Sequence, residues 1–323
     1  MSPTLTASRF RSEPWVGSAV GPSGRPHRPL RALSVSMVAA VVGCTVGLLV
    51  DDRTMFGLNV WDKPLKFSLS VLVYAVTWGW LIERLPRGRR SAGAAGTVAA
   101  VFLGVEMAVI IGQTFRDVPS HFNVSTPLDA ALWSVMAASI SLVWAASLVI
   151  AILLAKNPPA DPARAWAVRA GVLTAVLGML LGLLMVGPTS AQLAAPRLEL
   201  VGAHAVGVPD GGAGLPLLGW STVGGDLRIP HFVGMHALQA LPLLLITLEL
   251  LARRGVELAR PALRLSLMRV ATGAYLAVLA LLVWQAERGQ SIVHPDGWTL
   301  GASGLILCGT GIAAVRSWTR FDR

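Results

Sequence analysis

Eight apolar runs, each about long enough to cross a lipid bilayer, constrain the fold of this 323-residue chain more than any other feature. About twenty helical residues cross the ~30 Å hydrocarbon layer, where backbone N–H and C=O groups must pair within their own segment. Hydrophobic residues make up 54% of the chain, which excludes an ordinary soluble domain. We therefore expect an all-α integral membrane protein with eight transmembrane helices. The runs cover roughly residues 33–51, 67–85, 94–114, 128–155, 166–188, 231–252, 266–286 and 299–317.

The net charge of +10 follows the membrane topology. With a cytoplasmic N-terminus, 20 of the 27 Lys and Arg residues lie on the cytoplasmic side of the predicted helices. The positive-inside rule then places both termini in the cytoplasm of a bacterial inner membrane. The distribution of charge argues against a nucleic-acid partner and favours contact with anionic lipid headgroups.

A polar pattern occurs twice, about 170 residues apart. The first copy contains Lys66-Phe67, Gln113 to Arg116 and His121; the second contains His231-Phe232, Gln285 to Arg288 and His294. Repeats of this length are typical of membrane proteins built from two similar halves. We expect a disordered cytoplasmic tail at 1–32, a first four-helix half at 33–156, and a second, pseudo-symmetric four-helix half at 157–323.

The longest predicted connection, residues 189–230, lies on the outer side of the membrane. Loops of this length without clear periodicity are usually functional or disordered. The turn signals Pro209-Asp210-Gly211-Gly212 and Gly224-Gly225-Asp226, together with several Leu, Val and Trp residues, favour a packed lid. We expect this lid to cover the second half.

Polar side chains recur toward the outer ends of the predicted helices and indicate an outward-facing site. Glu106 is the strongest indication, because an ionisable group near the bilayer midplane is costly unless it is paired, hydrated or protonated. Helical spacing places Glu106, Gln113 and Arg116 on one face. We assign catalytic roles to Glu106, Arg116 and Arg288, substrate binding to Tyr74, Gln113 and Gln239, and cofactor binding to His121, His231, His236 and His294.

A redox or haem-linked function is one hypothesis, because facing imidazoles are common axial ligands in helix bundles. His236 or His231 would pair with His294 around a possible haem b, with arginines near the propionates. Eight helices in two halves, with histidines toward the outer side, resemble the topology of haem A synthase. The resemblance covers topology alone, since the Glu-x-x-x-His-Arg signature of that family has no counterpart here.

Segments of the lid carry a second resemblance. The stretches from Gly202-Ala203-His204 to Gly219-Trp220-Ser221, and from Gly225 to Phe232, are similar to an uncharacterised family of bacterial polytopic membrane proteins. That likeness implies a multi-pass membrane protein and no named activity.

Two other functions remain open. A small-molecule binding protein or transporter would account for the repeat and for Glu106, although the two halves have the same orientation. A metal-dependent enzyme acting on an outer-leaflet lipid or envelope substrate would use histidines with Asp210, Asp226 or Asp296 around zinc or copper. The polar residues near helix ends also fit a structural role as interfacial anchors, as do Glu83 beside Arg84 and Glu249 beside Arg253. A homo-oligomer is compatible with each of these functions.

Overall fold

A computed structural model describes residues 26–253 and 257–321 of the chain. Most of the expected tail, residues 1–25, lies outside the described residues. The first helix begins at Arg28, inside the segment that we expected to be disordered. His27 fixes this start, because its side chain accepts a hydrogen bond from the Leu30 N–H at 3.3 Å and its own N–H donates to Glu83.

Ten α-helices occupy most of the described chain. They are α1 (Arg28–Val50), α2 (Asp62–Glu83), α3 (Arg89–Phe115), α4 (Pro127–Lys156), α5 (Pro162–Leu181), α6 (Ser190–Ala194), α7 (Arg228–Met235), α8 (Ala237–Leu251), α9 (Pro261–Glu287) and α10 (Gly297–Phe321). Short 3₁₀ turns lie at Gly182–Met185 and Glu257–Ala259. Two small antiparallel pairs join β1 (Thr54–Met55) to β2 (Leu58–Asn59) and β3 (Ala205–Val206) to β4 (Gly225–Asp226).

Seven of the helices in the described ranges are long and apolar enough to cross a membrane, as expected of a multi-pass membrane protein. They are α1, α2, α3, α4, α5 with its extension to Ala194, α9 and α10. The pair α7 and α8 meets the same test only when taken together, and its two parts are inclined by 46°. Each of the eight apolar runs therefore corresponds to helix, although the sixth run is broken.

The break between α7 and α8 lies at His236, which has φ −80° and ψ 0°. Pro242 follows inside α8, where it cannot donate a backbone hydrogen bond to the preceding turn. On the other side of the break, the Tyr275 hydroxyl of α9 donates to the Val233 carbonyl at 2.5 Å. Side chains from a neighbouring helix thus compensate for an interruption that would be costly in hydrocarbon.

The helices pack in the order of the chain. In the first group, α1 packs on α2, α2 on α3, and α3 on α4. In the second group, α5 packs on α7, α8 and α9, and α9 packs on α10. Contact between α4 and α5 joins the two groups. One buried apolar cluster runs through α1 to α5, α8 and α9, while most of α10 is exposed.

A very close crossing joins α5 to α7. A Cβ atom on Gly178 would lie only 2.2 Å from the carbonyl carbon of Gly234. The His231 ring lies beside this crossing and its Nδ1 is 2.8 Å from the Gly178 carbonyl oxygen. Small residues allow helix backbones to approach in this way, so the glycines set the position of α7 and of the break that follows it.

Long connections gather at one end of the bundle, which we call the lid end: residues 51–61, 116–126, 189–227 and 288–296. The lid itself, residues 199–227, reaches further than the sequence indicated. Besides the second helix group, it contacts the 116–126 connection of the first: the Val124 N–H donates to Glu199, the Val201 N–H donates to Phe122, and Leu200 forms a β-bridge with Asn123. The lid therefore connects both helix groups.

Replacing Gly178 with Ala should separate α5 from α7 and lower the thermal unfolding midpoint in detergent, because the added methyl group has no space. Overpacking of this kind costs about 1–3 kcal/mol. Gly301→Ala on α10 is the matched control, since no atom lies within 4 Å of its added Cβ. Equal midpoints for Gly178→Ala and the wild type would contradict the crossing.

Candidate functional site at the lid end

Glu106 is a buried carboxyl group without a full set of partners. Only 4% of its surface is exposed, and within the described residues its Oε2 atom has no hydrogen-bond partner. Its Oε1 lies 3.6 Å from His121 Nε2, which is too long for a hydrogen bond. Gln113, seven residues further along the same face of α3, is buried as well. Because an unpaired buried polar atom is costly, Glu106 marks an incomplete site.

His121 lies against Glu106 in a wall of aromatic rings. Its ring centroid is 5.3 Å from that of Phe67, 5.6 Å from that of Trp133 and 6.1 Å from that of Phe122. Burial lowers the pKa of His121 well below its ordinary value, and the positive charge of Lys63 adds to this effect. The imidazole is therefore neutral, and its contact with Glu106 is not an ion pair.

Phe122 has a left-handed backbone conformation, with φ +65°, which is rare for a bulky side chain. The lid holds it there: its carbonyl accepts from the Val201 N–H at 2.8 Å, and its ring lies 5.1 Å from Trp133 and 5.0 Å from His204. Strained residues of this kind persist where the surrounding structure fixes them, often at functional sites. Phe122 thus separates two imidazoles that face the same region.

Lys63, in the first turn of α2, is a site residue that the sequence analysis missed. Its ammonium group interacts electrostatically with Glu106 and Asp210, and also with Arg228 and Lys66. Within the described residues, however, it makes no hydrogen bond and no ion pair closer than 4.0 Å. A lysine at the end of a predicted transmembrane helix is usually an interfacial anchor. Nothing in the sequence distinguishes Lys63 from that common case.

Lys66 and Arg228 hold the lid over this region. Lys66 Nζ donates to the Leu218 carbonyl at 2.9 Å. Arg228 donates to both carboxylate oxygens of the buried Asp226, at 2.9 and 2.6 Å, and to the Gly219 carbonyl. Both cations therefore have partners in the lid, in contrast to Lys63.

His204 and Asp210 form a second polar pair, inside the lid. His204 Nδ1 lies 2.7 Å from Asp210 Oδ2, and the Asp210 carboxylate also accepts from the N–H groups of His204 and Ala205. Burial raises the pKa of Asp210, but these hydrogen bonds and the coulombic interaction with His204 outweigh burial and lower it to about 2. Burial lowers the pKa of His204. The pair is therefore an ionised aspartate beside a neutral imidazole.

Gln113 and Arg116 lie in a structural cluster around Asp129 rather than in the site of Glu106. The buried Asp129 carboxylate accepts from Gln113 at 3.0 Å, from Arg116 at 2.7 Å and from the Thr126 hydroxyl at 2.5 Å. The Thr126 side chain in turn caps α4 by accepting from the Asp129 N–H. These contacts fix the connection between α3 and α4, so a catalytic role for Arg116 gains no support.

The second helix group has a comparable cluster. Arg288 pairs with Asp296, which precedes α10, and stacks 4.1 Å from the Trp284 ring centre. Gln285 donates to the Ser291 carbonyl at 2.9 Å. His294 lies at the surface near the Thr222 carbonyl. These residues fix the turn between α9 and α10, which favours a structural role for Arg288 over a catalytic one.

The remaining predicted site residues lie deeper between helices. The Tyr74 hydroxyl is 2.7 Å from the Ser147 hydroxyl, joining α2 to α4. Gln239 contacts His236 at 3.2 Å and donates to Thr77 at 3.1 Å, which connects α8 with α2. They form helix contacts, and none of them contacts Glu106 directly.

The donor set does not favour a metal or haem site. Among residues 26–253 and 257–321, no three His, Cys, Asp or Glu side chains converge as metal ligands. The histidines expected to bind a haem contact other groups: His231 the Gly178 carbonyl, His236 the Gln239 side chain, and His294 the Thr222 carbonyl. The arrangement instead offers one unpaired carboxyl, one unpaired ammonium and neutral imidazoles beside apolar rings. No protein-family model, curated protein or solved structure matches the chain.

Replacing Asp129 with Ala should destabilise the protein by about 1–3 kcal/mol, because the buried Gln113 amide loses its acceptor and α4 loses part of its cap. Arg116→Gln should cost less, since 39% of the Arg116 side chain is exposed. Thermal unfolding in detergent measures both effects, with Asp52→Ala at an exposed lid-end position as the control. If Asp129→Ala has the same thermal unfolding midpoint as the wild type, the cluster does not stabilise the fold.

Proposed function

We propose that the protein lies in the bacterial inner membrane and binds a small molecule that reaches it from the outer side. The observation that carries this proposal is the pair formed by Glu106 and Lys63. The two groups interact electrostatically; among the described residues Glu106 Oε2 is buried without a hydrogen-bond partner, and Lys63 makes no hydrogen bond. A ligand placed between them would supply the missing partners.

The free energy of burial favours this interpretation over a purely structural role. A buried polar group without a hydrogen bond costs on the order of 1–3 kcal/mol, and an unpaired charge costs more. A structural pair would gain most by closing into a direct ion pair, as Arg164 and Glu249 do at 2.7 Å. Lys63 and Glu106 stay more than 4.0 Å apart and form no such pair.

The surrounding residues define the chemistry of that ligand. Toward Lys63 it would present a hydrogen-bond acceptor or an anionic group, and toward Glu106 a hydroxyl or amine donor. Phe67, Trp133 and Phe122 offer an apolar wall for its remaining part. A polar molecule with an apolar portion fits this combination. The ligand would enter only when the lid moves, and hydrogen bonds from Lys66 and Arg228 to lid carbonyl groups hold the lid in place.

The orientation of the bundle is part of the proposal. The connections opposite the lid, at 84–88 and 157–161, belong to the side that carries most of the basic residues. With that side in the cytoplasm, both termini are cytoplasmic and the lid is outside.

Two four-helix halves also belong to the proposal, and paired contacts support them. Near the start of the first helix of each group, a donor binds a glutamate at or near the end of the second: the His27 N–H binds Glu83, and Arg164 binds Glu249. Toward the lid end, Arg116–Asp129 matches Arg288–Asp296. Glu249 thus pairs with Arg164 rather than with the neighbouring Arg253. The haem-linked function has no comparable support.

Purified wild-type protein should retain a small molecule that mass spectrometry detects after denaturation, and Glu106→Gln and Lys63→Met should each reduce its amount at least tenfold. Each change removes one partner of the bound group. Lys156→Met, at the exposed end of α4, is the matched control and should retain the wild-type amount. The proposal is wrong if folded wild type and Glu106→Gln carry the same molecules in equal amounts.

Orientation is testable with single cysteines after Cys44 and Cys308 have been replaced with Ser. A membrane-impermeant maleimide applied to intact spheroplasts should label Asp52→Cys at the lid end, because that position is exposed to the outside. Arg87→Cys, exposed at the opposite end, should react only after the membrane is permeabilised. The reverse labelling pattern would contradict an outward-facing lid.

A further inference from the structure

The His204–Asp210 pair points to a catalytic function of the same site, an inference that rests on the proposed binding function. Asp210 is fixed by three donors, the N–H groups of His204 and Ala205 and the His204 ring. The backbone of His204 is fixed in turn, because its carbonyl accepts from the Leu227 N–H at 3.0 Å. An imidazole oriented by a carboxylate at Nδ1 has its Nε2 lone pair available as a base.

The free nitrogen of this imidazole belongs to the region of Glu106. Within the described residues His204 Nε2 makes no hydrogen bond, and the ring interacts electrostatically with Lys63 and with His121. Its ring also lies 5.0 Å from that of Phe122, which in turn contacts His121. A base, an unpaired ammonium and an unpaired carboxyl therefore belong to one group of interacting side chains at the lid.

The protonation state fits the role of a base. Burial lowers the pKa of His204 below its ordinary value of 6.5, and the hydrogen bond that its Nδ1–H donates to Asp210 offsets part of that effect. The ring is therefore neutral near pH 7, with its proton on Nδ1 toward the carboxylate. Asp210 stays ionised, since its pKa is about 2.

We propose that the protein hydrolyses a carboxylic ester of an amphipathic lipid, with His204 as the general base. A free hydroxyl or ammonium group on the alcohol part of the ester would donate a hydrogen bond to Glu106, and the acyl chain would lie along the aromatic wall. Lys63 would stabilise the oxyanion that forms from the ester carbonyl. Asp210 acts as a positioning residue, because it holds the His204 ring and does not contact the substrate.

The reaction balances without a metal or a redox partner. A water oxygen attacks the carbonyl carbon while His204 Nε2 takes one of the water protons, and the carbonyl electron pair moves to oxygen beside Lys63. When that pair returns, the bond between the carbonyl carbon and the alcohol oxygen breaks. The imidazolium gives its proton to the leaving oxygen, and the products are a carboxylic acid and an alcohol.

The test uses full-length protein in proteoliposomes of phosphatidylethanolamine and phosphatidylglycerol, with release of fatty acid as the measurement. p-Nitrophenyl octanoate serves as a second, soluble ester. We expect wild-type protein to hydrolyse at least one of them and His204→Gln to be at least 100-fold slower, because general-base catalysis contributes factors of about 10² to 10⁴. His294→Gln is the matched control and should hydrolyse at the wild-type rate, since that exposed ring lies by Thr222.

Asp210→Asn tests the pair even if His204→Gln does not fold. The rate of the wild type should fall with acid below pH 6.5, where His204 takes up a proton. Removal of the carboxylate lowers the pKa of His204 further, so this fall should move to lower pH and the plateau rate should decrease. If Asp210 has only a structural role, the hydrolysis rate of Asp210→Asn will fall over the same pH range as that of the wild type.

The outcomes separate the two proposals. Hydrolysis is overturned if folded wild type retains its bound molecule, lost in Glu106→Gln, but cleaves neither ester; the binding function then stands. It is also overturned if His204→Gln cleaves as fast as the wild type. Absence of both a bound molecule and ester cleavage would overturn the binding function and hydrolysis together.

Discussion

Polar groups within an apolar helix bundle must find partners inside the protein, and this requirement organises the structure at every level. The buried Asp129 gathers Gln113, Arg116 and Thr126, and so fixes one end of α3 and α4. The broken α7–α8 helix is compensated by Tyr275. Among the described residues, Glu106 Oε2, His236 Nε2 and Arg264 Nε are buried without a hydrogen-bond partner, and the proposed bound molecule would supply one for Glu106.

The polar groups of the lid also find partners inside the protein. Asp210 and Asp226 each collect several donors and give a glycine-rich segment a defined shape. The lid then pairs with Phe122 and Asn123 of the first helix group, whereas its own chain leads into α7 of the second. In the proposed binding function, ligand entry would therefore depend on these contacts between the two groups.

The sequence predicted the helices well, because a membrane-length apolar run has few other stable structures. It did not predict the break at His236, which depends on the Gly178–Gly234 crossing, a contact between distant segments. Glu106 and His121 were both assigned to the predicted outward-facing site, with different roles, and in the structure they lie 3.6 Å apart. Arg116 and Arg288 were interpreted as catalytic residues. The sequence alone does not show that the folded connections bring an aspartate to each of them. Lys63 was missed because interfacial lysines are common.

The most direct test of the central claim is a high-resolution cryo-electron microscopy map of the wild-type protein in lipid nanodiscs. The account predicts density for a bound molecule that bridges Lys63 Nζ and the Glu106 carboxyl group beneath the lid, next to Phe67 and Trp133. A map in which Lys63 and Glu106 close into a direct ion pair, with no space between them, would contradict it.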